Sequence, residues 1–162
     1  MPVGWDHEIR RRHAVTDEIR MLGWREWLSL PDLGLPRIKA KVDTGARTSC
    51  LHAFYVERFT ARGRDLVRFG VHPVQRSLAE TVNCEAELLD QREVSDSGGH
   101  REMRFVISTR LVLLDFDDLI ELTLTNRDSM RFRMLLGRTA MAAGGFLVNP
   151  SASYLAGRHA AQ

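Results

Sequence analysis

From residue 22 onward the chain alternates. Apolar and polar residues exchange places at every second position in short runs, the period of a half-buried strand, and each run is cut by a cluster of Gly, Pro, Asp, Asn or Ser. Trp24, Leu28 and Leu30 lead into the turn Pro31-Asp32-Leu33-Gly34, and Ile38, Ala40 and Val42 then share one face of RIKAKVD. This predicts a first hairpin. Beyond a turn at Asp43, SCLHA resumes the alternation, FYVERFTARGR reaches a turn at Gly63, and DLVRFGVH ends at Pro73. The polar stretch PVQRSLAE separates that run from ETVNCEAELLDQREV, which predicts a long hairpin with its tip at 74–79. SDSGGH marks another turn before the strands REMRFVIST and RLVLLD. Ile120, Leu122 and Leu124 alternate in DDLIELTLTNRD, and SMRFRMLLGRTAMAAGG passes from a strand through Gly137 into a short helix at 138–143. FLVNP reads as a last strand.

The first twenty residues break the pattern. They are polar, with Ile9, Ala14, Val15 and Ile19 loosely at helical spacing, and predict a short helix or an arm. The expected organisation is therefore an N-terminal arm at 1–20, one all-β domain at 21–157 and a tail at 158–162. A chain of 162 residues can bury a core without crosslinks. Its 44% apolar and 27% charged residues are ordinary for a folded soluble domain, and no apolar run reaches bilayer length. The basic N-terminal stretch has no apolar segment behind it, so no secretory signal is read there and a cytoplasmic location is expected. Cys50 and Cys84 lack the spacing of a disulfide framework or zinc cluster and are expected as buried free thiols.

Charge adds one feature. The net charge is only +2, but of the 23 basic residues all except Lys39 and Lys41 are arginine. The guanidinium fork suits carboxylates and phosphates, so a glutamate-rich peptide or a nucleic-acid backbone is a candidate partner; the alternative is that these arginines only solvate strands.

The candidate chemistry lies in KVDTGARTSCLHA. A strand delivers Asp43 to a tight loop in which Gly45 permits the turn and the Thr44 hydroxyl can tie the loop down, leaving a carboxyl group at the surface. An Asp-Thr-Gly turn alone is common. Far downstream, however, MLLGR supplies Leu135, Leu136 and Gly137 followed by Arg138, and the pair of motifs in an all-β chain resembles the retropepsins, in which an apolar-apolar-Gly segment braces the Asp-Thr-Gly loop from below. Together with GWREW, LPDLGLPRIKA, VRFGVHP, ELTLTNRDSMRFRM and NPSASYL, nearly the whole chain resembles the bacterial retropepsin-like family often labelled ATP-dependent zinc protease, whose RimB-type members accompany an α-L-glutamate ligase acting on a ribosomal protein. That resemblance implies a retropepsin-like closed barrel and an aspartic peptidase that trims glutamate-rich tails. The label's own nouns find no motif here: there is no phosphate-cradling Gly-Lys-Ser/Thr run and no pair of His residues flanking a Glu at zinc-ligand spacing. His52, His72 and His100 are expected at the surface, and neither cofactor nor metal is expected.

Aspartic proteolysis needs two carboxyl groups sharing a proton, and the chain carries one such loop. Asp43, with Thr44 and Gly45, is therefore expected to pair with its counterpart in a second copy on a two-fold axis. Asp96-Ser97-Gly98 matches the motif in letters but reads as a hairpin tip. Where retroviral relatives carry an acidic residue two positions after the loop, this chain has Arg47. Arg47 and Arg138 could thus meet an acidic substrate, or Asp128 could pair with Arg138 while Arg47 faces solvent. The hairpin tip at 74–79 is the first candidate for a flap over the cleft and the turn at 97–100 the second, with Arg68 and Arg76 as candidate contacts to acidic side chains. The competing functional readings are a non-catalytic module binding acidic tails or RNA, and a metallopeptidase.

Overall fold

The computed structural model describes residues 19–96, 98–127 and 131–157; the helix or arm expected at 1–20 falls almost wholly outside these, as do Asp128 and the tail at 158–162. The described chain is a sequence of strands: β1 (Arg20–Leu22), β2 (Arg25–Leu30), β3 (Leu35–Val42), β4 (Ser49–His52), β5 (Tyr55–Ala61), β6 (Arg64–Val71), β7 (Val82–Ser95), β8 (Arg101–Leu113), β9 (Phe116–Thr125), β10 (Met134–Leu136) and β11 (Phe146–Val148). One helix, α1 (Arg138–Gly144), follows β10, and a 3-10 turn at Pro31–Leu33 joins β2 to β3.

Hydrogen bonding closes a ring in the order β2-β3-β10-β4-β9-β8 and back to β2, where Ser29 meets Val112. Closure removes the exposed sheet edges of these strands. The apolar faces predicted by the alternation point inward, so Leu28, Leu30, Ile38, Leu51, Ile107, Leu111, Leu122 and Met134 are fully buried. The all-β expectation holds, as does the first hairpin. The runs REMRFVIST and RLVLLD, read as two strands, form one continuous β8 because no residue between them breaks the ladder.

Beyond β8 the sheet continues through β7, β6 and β5. The β5–β6 turn is two residues long, Arg62 and Gly63, both at positive φ (53° and 72°), the backbone that matches strand twist in a tight hairpin. The β6–β7 hairpin is present as read, with its connection at 72–81.

Two remote segments meet at one buried acid. Glu26 in β2 is completely buried and accepts N–H groups from Gly23 (2.6 Å), Leu155 (3.0 Å) and Ala156 (2.9 Å). Beside it Trp24 N–H donates to Ala152 O, Tyr154 N–H donates to Arg25 O, and the Tyr154 ring stacks on Trp27. The similarity-bearing segments GWREW and NPSASYL therefore form one structural unit. Replacing Glu26 with Ala would leave three inward N–H groups unpaired; we expect Glu26→Ala to lose about 3 kcal/mol or more in denaturant unfolding, and Glu26→Gln to recover part of it.

Candidate active site

The loop after β3 is built around its own aspartate. Asp43 Oδ1 accepts the N–H groups of Gly45 (2.9 Å) and Ala46 (3.2 Å), a side-chain turn that fixes the carboxyl group at the strand end. Asp43 is half-buried, while Thr44 and Gly45 are exposed. Glycine at 45 has a reason the sequence does not display: its φ is not positive, and a Cβ there would sit 3.2 Å from Asp43 Oδ1.

The segment expected to brace the loop lies beside it. β10 runs parallel to β3, with Leu135 opposite Lys41 and Leu136 opposite Val42, and antiparallel to β4, with Leu135 opposite Cys50. Asp43 N–H donates to Leu136 O (2.9 Å). Gly137 N–H donates to the Ser49 hydroxyl (3.0 Å), Arg138 N–H to Ala46 O (2.8 Å) and Thr139 N–H to Arg47 O (3.0 Å). The Arg138 guanidinium turns back to the carbonyls of Thr44 (3.1 Å) and Gly45 (3.2 Å). Every residue from 43 to 49 except Thr48 thus takes part in a backbone or side-chain bond that shapes the loop or ties it to 136–139. Ser49 is the contributor that sequence reasoning missed; a small hydroxyl residue six positions after the aspartate was its only signal.

The other candidates are dispersed. Arg47 is exposed, with Glu121 of β9 in electrostatic range; Glu121 is itself held below the usual carboxylate range, first by its hydrogen bond to Arg92 and to a lesser degree by Arg47. Arg68 pairs with Glu85 (3.1 Å) and lies over the Phe59 ring. Arg76 lies in the 72–81 connection. Asp96 closes its own turn, accepting the N–H groups of Gly98 and His100 (both 2.9 Å), and pairs with Arg127 (2.7 Å); the His100 backbone bond first, then the Arg127 charge, lowers its pKa. It is a hairpin-tip residue.

His52 departs from its expected surface position: it is buried at the end of β4, a strand buried at all four positions. His72 is half-buried and stacks on Phe54, and His100 is exposed. Among the described residues no three His, Cys, Asp or Glu side chains converge as a metal-binding group, and no helix is long and apolar enough to cross a membrane.

Residues 21–159 match the family model described as the retropepsin-like aspartic endopeptidase RimB. The chain belongs to the RimB-like family. A protein of Shewanella halifaxensis named "Probable alpha-L-glutamate ligase" is 44% identical over 144 residues, covering 89% of this chain and 31% of that protein. One of the same name in Parasynechococcus marenigrum is 48% identical over 137 residues, 85% of this chain and 29% of its own length. The RimB-like chain thus spans less than a third of these relatives. In structure it is similar to the Legionella pneumophila protein Lpg0085, of unknown function, with a TM-score of 0.72, 26% identity, and coverage of 86% of this chain and 99% of that one.

Both cysteines are buried and free, as expected. Burial pushes the Cys84 thiol up to about 11 and raises Cys50 as well. A thiol raised in the folded state favours folding while protonated, so this contribution is complete below the ordinary thiol range and is lost as pH climbs toward 11. At pH 8 we expect neither thiol to react with a disulfide reagent until the chain unfolds, when both should react together. For the brace, Gly137→Ala places a Cβ 2.6 Å from the Thr48 carbonyl carbon. We expect that variant to lose roughly 1–3 kcal/mol of stability, measured by thermal unfolding.

Proposed function

We propose that this chain is an aspartic endopeptidase that acts as a homodimer, with Asp43 of two copies forming the catalytic pair, and that it cleaves acidic or glutamate-rich protein segments. The observation that carries this reading is the Asp43 loop braced by 136–139 in a chain of the RimB-like family. Asp43 Oδ1 is satisfied by its own loop, which leaves Oδ2 to face a second carboxyl group and a water. In the pair one carboxylate accepts a proton from the water as it attacks the scissile carbonyl, while the other, protonated, donates to the carbonyl oxygen. Thr44 and Gly45 shape the loop, and Leu135, Leu136 and Gly137 support it.

The partner carboxyl must come from another chain if the reading is right. Asp96 is engaged with its own turn and with Arg127, so an intrachain pair would have to dismantle that hairpin. The two-stranded sheet of β1 and β11 exposes Ile19, Met21 and Leu147, a surface suited to meeting a second copy. The glutamate-rich substrate is supported by relatives named as glutamate ligases and by the arginine bias; a ribosomal protein tail extended by such a ligase fits both. A cytoplasmic location follows from that substrate. Of the two flap candidates, the 72–81 connection is fastened by side-chain bonds at Gln75 and Ser77, whereas Gly98 to His100 are exposed at the β7–β8 tip, so the latter is better suited to lift.

Asp43→Asn should fold with an unchanged melting temperature and lose cleavage of a polyglutamylated peptide by a factor on the order of 10³. Cleavage that persists at the original rate sinks the mechanism. Sedimentation of an active sample as a monomer would remove the two-chain pair.

A further inference from the structure

A strongly basic cleft lies apart from the Asp43 loop, which does not line it. A cavity of about 410 Å³ opens between the Trp24 and Trp27 rings, Lys39 on β3, and the 72–81 connection, with Arg25, Arg76 and Arg131 on its walls. A second cavity, of about 420 Å³, continues on the other side of Arg76, which lines both; His52, His72 and Arg133 belong to its wall. Each is of ordinary small-ligand size. Among the described residues no Asp or Glu lines either one.

Several arginines elsewhere are balanced by acids. Arg58, Arg64, Arg92, Arg101 and Arg110 each pair with an acid within 3.1 Å. Arg76 and Arg131 have no acidic partner among the described residues. Arg76 also stands at φ 62°, a left-handed backbone that a residue with a Cβ adopts at a cost. The turn around it is pinned: Gln75 accepts from Lys39 Nζ (2.9 Å) and donates to Arg131 O (2.9 Å). In the second cavity's wall, Arg133 donates to Ser77 O while its buried Nε–H lacks a hydrogen-bond partner.

The aromatic groups choose between ligands. Nucleic-acid binding would use free ring faces for bases. Here Arg25 lies over Trp24 at 4.6 Å, Arg37 lies over Trp27 at 4.0 Å, and Tyr154 stacks on Trp27 at 6.2 Å. The faces are filled by cations and by another ring, so what the cleft offers is N–H groups held by stacking, the complement of carboxylates.

We infer that the paired cavities joined at Arg76 form a binding site for an acidic peptide, taking its carboxylate side chains between Lys39, Arg76 and Arg131. Its role as a substrate subsite rests on the peptidase reading; its affinity for carboxylates does not. Position supports that role. Val42 N–H donates to Trp24 O, which sets the cleft beside the strand that carries Asp43. Lys39 precedes Asp43 by four residues, roughly 13 Å along the strand. An extended peptide crossing Asp43 would thus place acidic side chains in the cleft about four residues from the cut bond.

The test uses pentaglutamate as the probe and tryptophan fluorescence as the signal, since two of the chain's three tryptophans line the cleft. In the Asp43→Asn chain, pentaglutamate should give a saturable change that pentaglutamine does not, and Arg76→Gln with Arg131→Gln should weaken it at least tenfold. Arg76→Glu, an exposed single change that leaves the fold alone, should do the same. With Asp43 restored, the same variants should raise KM for an acidic peptide and leave kcat unaltered. Equal pentaglutamate affinity in parent and variants, or tighter binding of oligo-dT than of pentaglutamate, overturns the site. If Asp43 proves dispensable for cleavage while pentaglutamate still binds through Arg76 and Arg131, the peptidase reading falls and the cleft stands.

Discussion

Everything at the Asp43 loop depends on β10 being inserted between β3 and β4. A segment of three residues makes parallel bonds to one strand and antiparallel bonds to the other, and in doing so completes the closed ring. Without it, β3 and β4 would each present an open edge at the point where the loop leaves the barrel. With it, the Leu136 carbonyl meets Asp43 N–H, and the chain continuing into α1 caps the loop from below. The carboxyl group is therefore positioned by main-chain geometry. Side-chain packing matters chiefly at Gly137, where the approach to Thr48 and Ser49 leaves no room for a methyl group.

That arrangement explains how much of this loop and the segment beside it was legible in the sequence and where such reading stops. Alternation located the strands because nearly all of them have one face in a single closed core, and the two motifs were distinctive because the brace needs apolar residues followed by a glycine. The reason for Gly45 was not legible. Its role is spatial, set by where Asp43 Oδ1 turns, and nothing local distinguishes that from a need for positive φ. His52 was misplaced for a similar reason: a strand buried on both faces does not alternate, and β4 is buried at all four positions.

The arginine bias had a meaning that only the fold could sort. Counting residues cannot separate an arginine paired across a strand, such as Arg68 with Glu85, from one with no acidic partner among the described residues, such as Arg76. Antiparallel pairing brings Arg64 and Arg68 against Glu87 and Glu85, so those charges serve the sheet. Arg76 lies outside any ladder, on a connection whose backbone is held by Gln75, and cross-strand pairing cannot supply it with an acid.

The buried Glu26 links this basic cleft to the rest of the fold. By collecting the N–H groups of Gly23, Leu155 and Ala156, it holds the C-terminal segment against the start of β2, and that contact places Tyr154 on Trp27. Tyr154 and Trp27 in turn carry Arg25, Arg37 and Lys39 along their rings. One carboxyl group spent entirely on backbone thus organises a surface whose cavity is lined, among the described residues, by no acid. Strand β2, which carries Glu26, pairs with β3, and Asp43 directly follows β3, so Lys39 on the cationic wall and the candidate catalytic carboxyl are placed by the same strand.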